Sequence, residues 1–499
     1  MIDSPISRYR KYWNEIVNYQ NILSCLHWDM EVTMPSNGSE ERAAQVTQLS
    51  SLCHKIFISQ DFERLIEGAS NYIHKISPPE KILLERELQI LQRERDRAIK
   101  LPIHIVENFA NTTSLAHSVW VSAKKNQNFK EFQNSLNDIV NTSKEIAELY
   151  GYKNERYDAL LENYEIGMTG NMLSNLFADL KKSIIPIVEQ AKTYSNPFPH
   201  HISMQKQRHF NERLPIALGL PKNSFRLDVS AHPFSTSLGR YDKRITTRYY
   251  ENDPLSSIFG VLHETGHSLY EYGLSQMNDY PSPLTNAVSL GLHESQSRLW
   301  ENQIGRSKAF WEYYYPIILK DFELSGSILS FEDLFNFVNT TSKTKIRVEA
   351  DQITYNLHII LRFEIERDLI SNNLSVSELP EIWNSKMKEY FDLEIQNSSE
   401  GVLQDIHWSS GLFGYFPTYT LGNIYSAQLF HCFINHHGDF WNDVKKAGNF
   451  SKLLNWLNKN VYQKGKIFDP TDLIQDVTGQ PPNSSYLIEY LKTKQQEVG

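Results

Sequence analysis

Cysteine is scarce in this chain: there are 3 in 499 residues, Cys25, Cys53 and Cys432, odd in number and widely spaced. That pattern excludes a disulfide framework and makes a reducing, cytoplasmic setting the expectation. No apolar run reaches the roughly 18 residues a membrane helix needs, and Met1 to Lys11 is polar and charged, unlike a secretory signal. Positive charge is also short, with 50 Lys and Arg against 59 Asp and Glu, a net charge of −9 and a pI near 6.0. Without a basic stripe, neither nucleic acid nor an anionic membrane is an expected partner. Low-complexity segments, repeats and long Gly/Pro/Ser linkers are missing too. Residues 1–499 therefore read as one mostly helical catalytic unit with internal lobes.

What is present is sharper. His263-Glu264-Thr265-Gly266-His267 places two histidines four apart on one helix face, where both can hold a zinc ion, with Glu264 beside them to activate water. A chain with this length and histidine content meets such a pattern by chance roughly once in 30 cases. The flanks strengthen it. Asp253 is a good N-cap, Pro254 suits the first turn, and Gly273 is a plausible stop. Leu255, Ile258, Phe259, Leu262 and Leu269 form an apolar stripe that buries the helix. Gly260 and Gly266 are poor helix formers, so their presence predicts close approach by a neighbour or by substrate.

A catalytic zinc needs a third protein ligand and an open position. Glu294, 27 positions after His267, is the best candidate: Ala287, Leu290, Glu294 and Ser297 recur at helical steps and share an inward face. His293 is an alternative ligand with poorer helical phase, and an i, i+4 pair with Arg298 is the structural alternative for Glu294. Ile82 to Lys100, Asn171 to Ala191 and Asp333 to Ile370 carry further helical periodicity. One region departs from helix. Phe225 to Ser230 alternates strictly and Arg244 to Tyr250 is β-branched and aromatic, with a loop-like segment from Ala231 to Arg240 between them. A small antiparallel sheet is predicted there, just before the metal helix, with an edge suited to an extended peptide.

Several segments together resemble the metallocarboxypeptidases of the carboxypeptidase Taq family. They are His27-Trp28-Asp29, His232-Pro233-Phe234, Asp242 to Thr246, His263 to His267, His293 to Gln296, Ile346 to Asp351, Gly401 to Trp408 and Phe413 to Tyr419. They run in the family's order over about residues 27 to 428. The resemblance implies removal of single amino acids from free peptide C-termini with broad preference, a saddle-like α fold with a deep groove, zinc or cobalt at its floor, and a homodimer. It implies metal ligation by His263, His267 and Glu294, with Glu264 as general base.

Within that resemblance Tyr419 is the candidate oxyanion donor, with Tyr415 near it. Arg347 is the natural clamp for the terminal carboxylate, since a guanidinium can grip it with two parallel hydrogen bonds. Its structural alternative is an i, i+4 bridge to Asp351, which could also orient it. His232 and His407 resemble groove-lining positions. Asp242, Arg244, Gln404, Asp405 and Trp408 lie in shared motifs without a separable role. Two other readings stay open: a zinc oligopeptidase or peptidyl-dipeptidase on the same fold, and a peptide-binding protein with a dead site.

Overall fold

The computed structural model describes residues 4–199 and 201–498, and most of them are helical. Helices Pro5–Val32, Gln60–Tyr72 and Pro78–Lys100 enclose a core of their own, with Tyr9, Trp13, Phe62, Ile66, Leu84 and Leu88 buried together. A far larger core runs from Ile105 to Leu491 and holds the helices that carry the candidate site. Among the described residues no helix is long and apolar enough to cross a membrane, and the three cysteines are unpaired.

The sheet has three strands, β1 (Phe225–Val229), β2 (Ser235–Gly239) and β3 (Asp242–Thr247), in the order β1-β3-β2. It is mixed rather than antiparallel. β1 pairs parallel to β3 in a register of Phe225 with Lys243 through Val229 with Thr247, and β2 pairs antiparallel to β3. The expected loop supplies the extra strand, because Ser235-Thr236-Ser237-Leu238-Gly239 folds back on β3 as a hairpin. Its small polar residues hide the period-two pattern that marks a half-buried strand. A bulge between Ser237 and Gly239 leaves a carbonyl and a hydroxyl for the buried Lys243 Nζ, which donates to Ser237 Oγ at 2.7 Å and to the Gly239 carbonyl at 2.9 Å.

The sheet lies on the helix Pro254–Leu274, which carries the HExxH residues. Asp253 caps it, accepting from the Ser256 amide, and the helix ends one residue beyond Gly273. A Cβ at Gly260 would meet Thr247 Oγ1 of β3 at 3.3 Å. At Gly266 the contact is with backbone: a Cβ would lie 2.6 Å from the Gln296 carbonyl and 2.7 Å from Ser297 Cα. The neighbour that this glycine called for is thus the short helix Leu290–Arg298. That helix is pressed from the other side by Pro417–His436, where a Cβ on Gly422 would fall 2.5 Å from Glu294 Cγ. Beyond Arg298 the chain widens into a π-helical turn, Leu299–Ile304, closed by the Gly305 amide donating to the Trp300 carbonyl at 2.9 Å.

The stretch expected to be helical from Asp333 to Ile370 is broken. Helices Phe331–Val338 and Thr354–Ile370 flank irregular chain in which Arg347 opens a single 3₁₀ turn. Asp351 starts the second helix by accepting from the Ile353 and Thr354 amides at 2.8 and 3.2 Å.

The N-terminus of Leu290–Arg298 rests on a buried carboxylate. Glu165 accepts from the Gly291 amide at 2.9 Å, Ser289 Oγ at 3.0 Å and Tyr425 Oη at 2.9 Å. Burial outweighs these bonds and raises its pKa to about 7. The unfolded chain releases this proton near pH 4.5 while the folded chain keeps it to about 7, so stability falls with rising pH across that window. Glu165→Gln keeps an acceptor without the charge. Its gain in unfolding free energy over the unsubstituted protein should be about 2 kcal/mol larger at pH 8 than at pH 5, measured by denaturant titration.

Candidate active site

His263 and His267 project from one face of their helix, and Glu294 meets them from the next. Glu294 Oε2 lies 3.6 Å from His263 Nε2 and 3.4 Å from His267 Nε2, and the three ligand atoms fall within 4.8 Å of one another. Four ligands at zinc bond lengths sit about 3.3 Å apart in a tetrahedron, close to the two separations Glu294 makes with the imidazoles, so the donor set suits such an ion. The far nitrogens are held as a metal ligand requires. His263 Nδ1 pairs with Glu301 Oε2 at 2.8 Å, and His267 Nδ1 with the His293 carbonyl at 3.1 Å. Each bond directs Nε2 inward.

Electrostatics points the same way. Burial disfavours a charged His263, but Glu294 and Glu301 overcome it and hold its pKa up at about 9. Burial, aided by His293, pushes His267 down to about 3. Burial raises Glu264 to about 7 against the opposing pull of His263. Glu294 is buried as well, yet Arg298, His263 and His267 keep it well below the usual carboxylate range. The carboxylates of Glu264, Glu294 and Glu301 thus converge on two imidazoles in a dry pocket, an arrangement that a cation completes.

His293 is not part of the cluster. Its Nε2 pairs with Glu271 Oε1 at 3.0 Å, and its ring stacks on His267 with centroids 4.3 Å apart. The Glu294–Arg298 pair does form, Nε to Oε1 at 2.7 Å, and coexists with the metal-facing Oε2. Arg298 also donates to Glu301 at 2.9 Å. Glu301 escaped the sequence reading, although it sits seven residues beyond Glu294, two helical turns along the same face.

On the Glu294 side, Arg347 is buried and bonded, but not to Asp351. Its Nε donates to Asp405 Oδ1 at 2.9 Å and its Nη1 to Tyr355 Oη at 2.7 Å. Asp351 is occupied in starting its helix, so the expected i, i+4 bridge is replaced by a partner 58 residues further on. Tyr419 lies under Arg347, 5.2 Å from ring centroid to guanidinium, and one helical turn before Gly422, the residue packed on Glu294. His407 Nε2 meets Tyr419 Oη at 3.1 Å, while its buried Nδ1 has no partner among the described residues. The imidazole and the tyrosine hydroxyl are thus tied to one another. Burial pushes the His407 pKa down to about 4, against Asp405, and keeps the ring neutral. Tyr415 packs edge-on against Tyr419 at 5.5 Å. His232 is exposed on the turn between β1 and β2 and makes no side-chain hydrogen bond among the described residues.

On the His267 side a cleft of about 460 Å³ opens, lined by Ser235, Lys243, Glu271, Ser275 and His293, with Asn21 of the first helix across from them. His263, His267, Glu271 and Ser275 follow one another at four-residue steps, so metal cluster and cleft lie along one helix face.

A buried HExxH helix, a glutamate from the following helix and oriented imidazoles define a metallopeptidase site. The chain belongs to the carboxypeptidase Taq (M32) metallopeptidase family, whose model matches residues 8–495. It is 37% identical over 484 residues to carboxypeptidase 1 of Bacillus subtilis, covering 96% of this chain and 95% of that protein. It is 36% identical over 503 residues to thermostable carboxypeptidase 1 of Pyrococcus furiosus, covering 99% and 98%. Its fold matches the crystal structure of the M32 carboxypeptidase from Deinococcus radiodurans with a TM-score of 0.95 at 31% identity, over 99% of each chain. The P. furiosus carboxypeptidase structure matches at 0.94 and 34%, again over 99% of each. The chain is accordingly a metallocarboxypeptidase, and the oligopeptidase and dead-site readings fall away.

If Glu301 orients His263, Glu301→Gln should weaken metal affinity by roughly 10- to 100-fold with little loss of fold. Competition with a chelator, read as residual metal per chain, checks this.

Proposed function

We propose that this protein removes single amino acids from the free C-terminus of peptides, with broad preference, using zinc held by His263, His267 and Glu294; cobalt suits the same donor set. The observation that carries this reading is the separation of two charged centres: an imidazole–carboxylate cluster fit for a cation, and a buried guanidinium, Arg347, beyond Tyr355 and Tyr419. Bound in the cluster, the ion supplies Lewis acidity, polarising the scissile carbonyl and acidifying water. Glu264 takes the proton of the attacking water on its carboxylate and passes it to the departing amine. Tyr419, tied by its hydroxyl to His407 Nε2, supplies the hydroxyl that donates to the oxygen that gains charge. Tyr415 fixes the Tyr419 ring by packing.

Arg347 has five N–H groups. Asp405 accepts from Nε at 2.9 Å, with Nη2 at the same distance from that oxygen, and Tyr355 accepts from Nη1. At least one N–H remains on each terminal nitrogen, enough for two parallel bonds to a carboxylate. With the terminal carboxylate at Arg347 and the scissile bond at the cluster, the upstream residues extend into the cleft beyond His267. There the edge of β2 offers backbone hydrogen bonds to an extended chain, with His232 on the turn before that strand, while His407 lines the opposite end of the path beside Tyr419. The whole chain, residues 1–499, then works as one catalytic unit with internal lobes, a deep groove and a saddle-like outline. A homodimer and a cytoplasmic location complete the proposal, the latter supported by the three free thiols.

Mass spectrometry of an unblocked peptide incubated with the zinc-loaded protein tests it. A ladder losing one C-terminal residue at a time, abolished by chelation, is expected, and a C-terminally amidated peptide should stay largely intact. Internal fragments would overturn the exopeptidase reading. Glu264→Gln should bind metal normally and lose at least roughly 10³-fold in kcat; full activity would remove it as the base. Arg347→Ala should lower kcat/KM for free-carboxylate peptides by roughly 10²-fold, and an unchanged value would reduce Arg347 to a structural residue.

A further inference from the structure

Behind Arg347 lies a second arginine that no part of the mechanism uses. Arg362, in the helix Thr354–Ile370, has no exposed surface and is held on every side. Its Nε donates to Asp405 Oδ2 at 2.7 Å, its Nη2 donates to Gln404 Oε1 at 2.7 Å and lies 2.6 Å from Asp405 Oδ2, and its Nη1 donates to the His358 carbonyl at 2.7 Å. Trp383 and Phe416 stack on the guanidinium at 4.7 and 5.4 Å. Gln404 Oε1 also accepts from the Arg347 amide at 2.9 Å, so both arginines share both acceptors.

Two guanidinium groups thus face one carboxylate, with Oδ1 for Arg347 and Oδ2 for Arg362. Among the described residues no other acid forms an ion pair with either of them. Glu366, one turn along the same helix, makes no ion pair with Arg362; its oxygens are taken by Tyr157 Oη, Trp408 Nε1 and the Gly414 amide. Arg298, reached through Tyr355, is matched by Glu294 and Glu301. Lys124, whose Nζ donates to the Gln404 carbonyl at 2.9 Å, adds positive charge rather than removing it. A buried cluster with one cation in excess is costly unless a ligand anion joins it.

We propose that Arg362 is a positioning residue for recognition of the free C-terminus. By taking half of Asp405 it leaves Arg347 incompletely neutralised, rigidly aimed and with two unspent N–H groups, without itself reaching the peptide. This rests on the reading of Arg347 as the carboxylate clamp. If Asp405 served Arg347 alone, the pair would be neutral and its pull on a carboxylate would drop to that of hydrogen bonds.

The test uses the metal-loaded protein, an N-acylated dipeptide with a free C-terminus, and calorimetric binding of N-acetylphenylalanine against its amide. For Arg362→Met, KM should rise roughly tenfold or more while kcat stays within about threefold, and affinity for N-acetylphenylalanine should fall in parallel while that for the amide does not change. Arg362→Lys keeps the charge but not the double bond to Asp405, and should fall between the two. Where Arg362→Met does not accumulate as folded protein, Arg362→Lys against the unsubstituted protein decides by the same split. A fall in kcat with unchanged KM, or acid and amide affinities that fall together, would overturn the proposal and make Arg362 a packing residue. Arg347→Ala is measured alongside. If it retains acid-over-amide discrimination, the clamp reading itself fails; if it loses discrimination while Arg362→Met keeps it, only the role of Arg362 falls.

Discussion

The distance at which three helices can approach one another governs the rest of this structure. Glu294 reaches the imidazoles because its helix is pressed between Pro254–Leu274 and Pro417–His436, and at both contacts the opposing residue is glycine. Any side chain at Gly266 would meet backbone, and any at Gly422 would meet the Glu294 stem. A glycine within a helix costs about 1 kcal/mol relative to alanine, a modest loss against the ability to bring three ligand atoms to within bonding distance of one ion. The same compression buries most of the ligand surface, which strengthens every charge interaction at the site. It also explains why the helix is seated on a neutralisable carboxylate, Glu165, rather than on an exposed cap.

The charges are sorted accordingly. On one side carboxylates outnumber the cations available to them, and the raised His263 pKa is the mark of that surplus. On the other, arginines outnumber carboxylates. Each imbalance is unfavourable alone, and each has the sign opposite to the species expected there, a metal cation in the first case and a peptide terminus in the second. The aromatic layer of Tyr355, Tyr415, Phe416 and Tyr419 separates the two and keeps them from cancelling through direct ion pairing. In the proposed reaction that separation sets the reach between the terminal carboxylate and the bond to be cut.

The candidate metal cluster was legible in the sequence because it obeys a local period. His263, His267 and Glu294 lie on helices whose apolar stripes announce their inner faces, and the glycines announced a close neighbour. Glu301 followed the same period and was open to the same reasoning. What failed had no period to follow. Strand β2 is built of serine, threonine and glycine, so its alternation leaves no hydrophobic trace, and the mixed topology was hidden with it. Arg347 was singled out by chemistry, but its partner Asp405 is remote in sequence, whereas Asp351 was near enough to seem sufficient. Arg362 lay in a run of apolar residues, where an arginine's stacking on Trp383 and Phe416 depends wholly on tertiary structure.

The π-helical turn at Leu299–Ile304 bears on how the sequence of such a protein can change. A π turn holds one residue more than the α turn it interrupts, with weaker geometry, and is found frequently at functional sites. Upstream lies Glu294; downstream lie Gly305 and Trp311, whose indole donates to the Gly305 carbonyl at 2.8 Å. Because the wide turn absorbs its extra residue within itself, the helix on either side keeps nearly the phase of an uninterrupted one, and a deletion here would displace the residues of the turn more than those beyond it. Glu301 lies inside the turn, so the widening sets where the carboxylate that meets His263 stands.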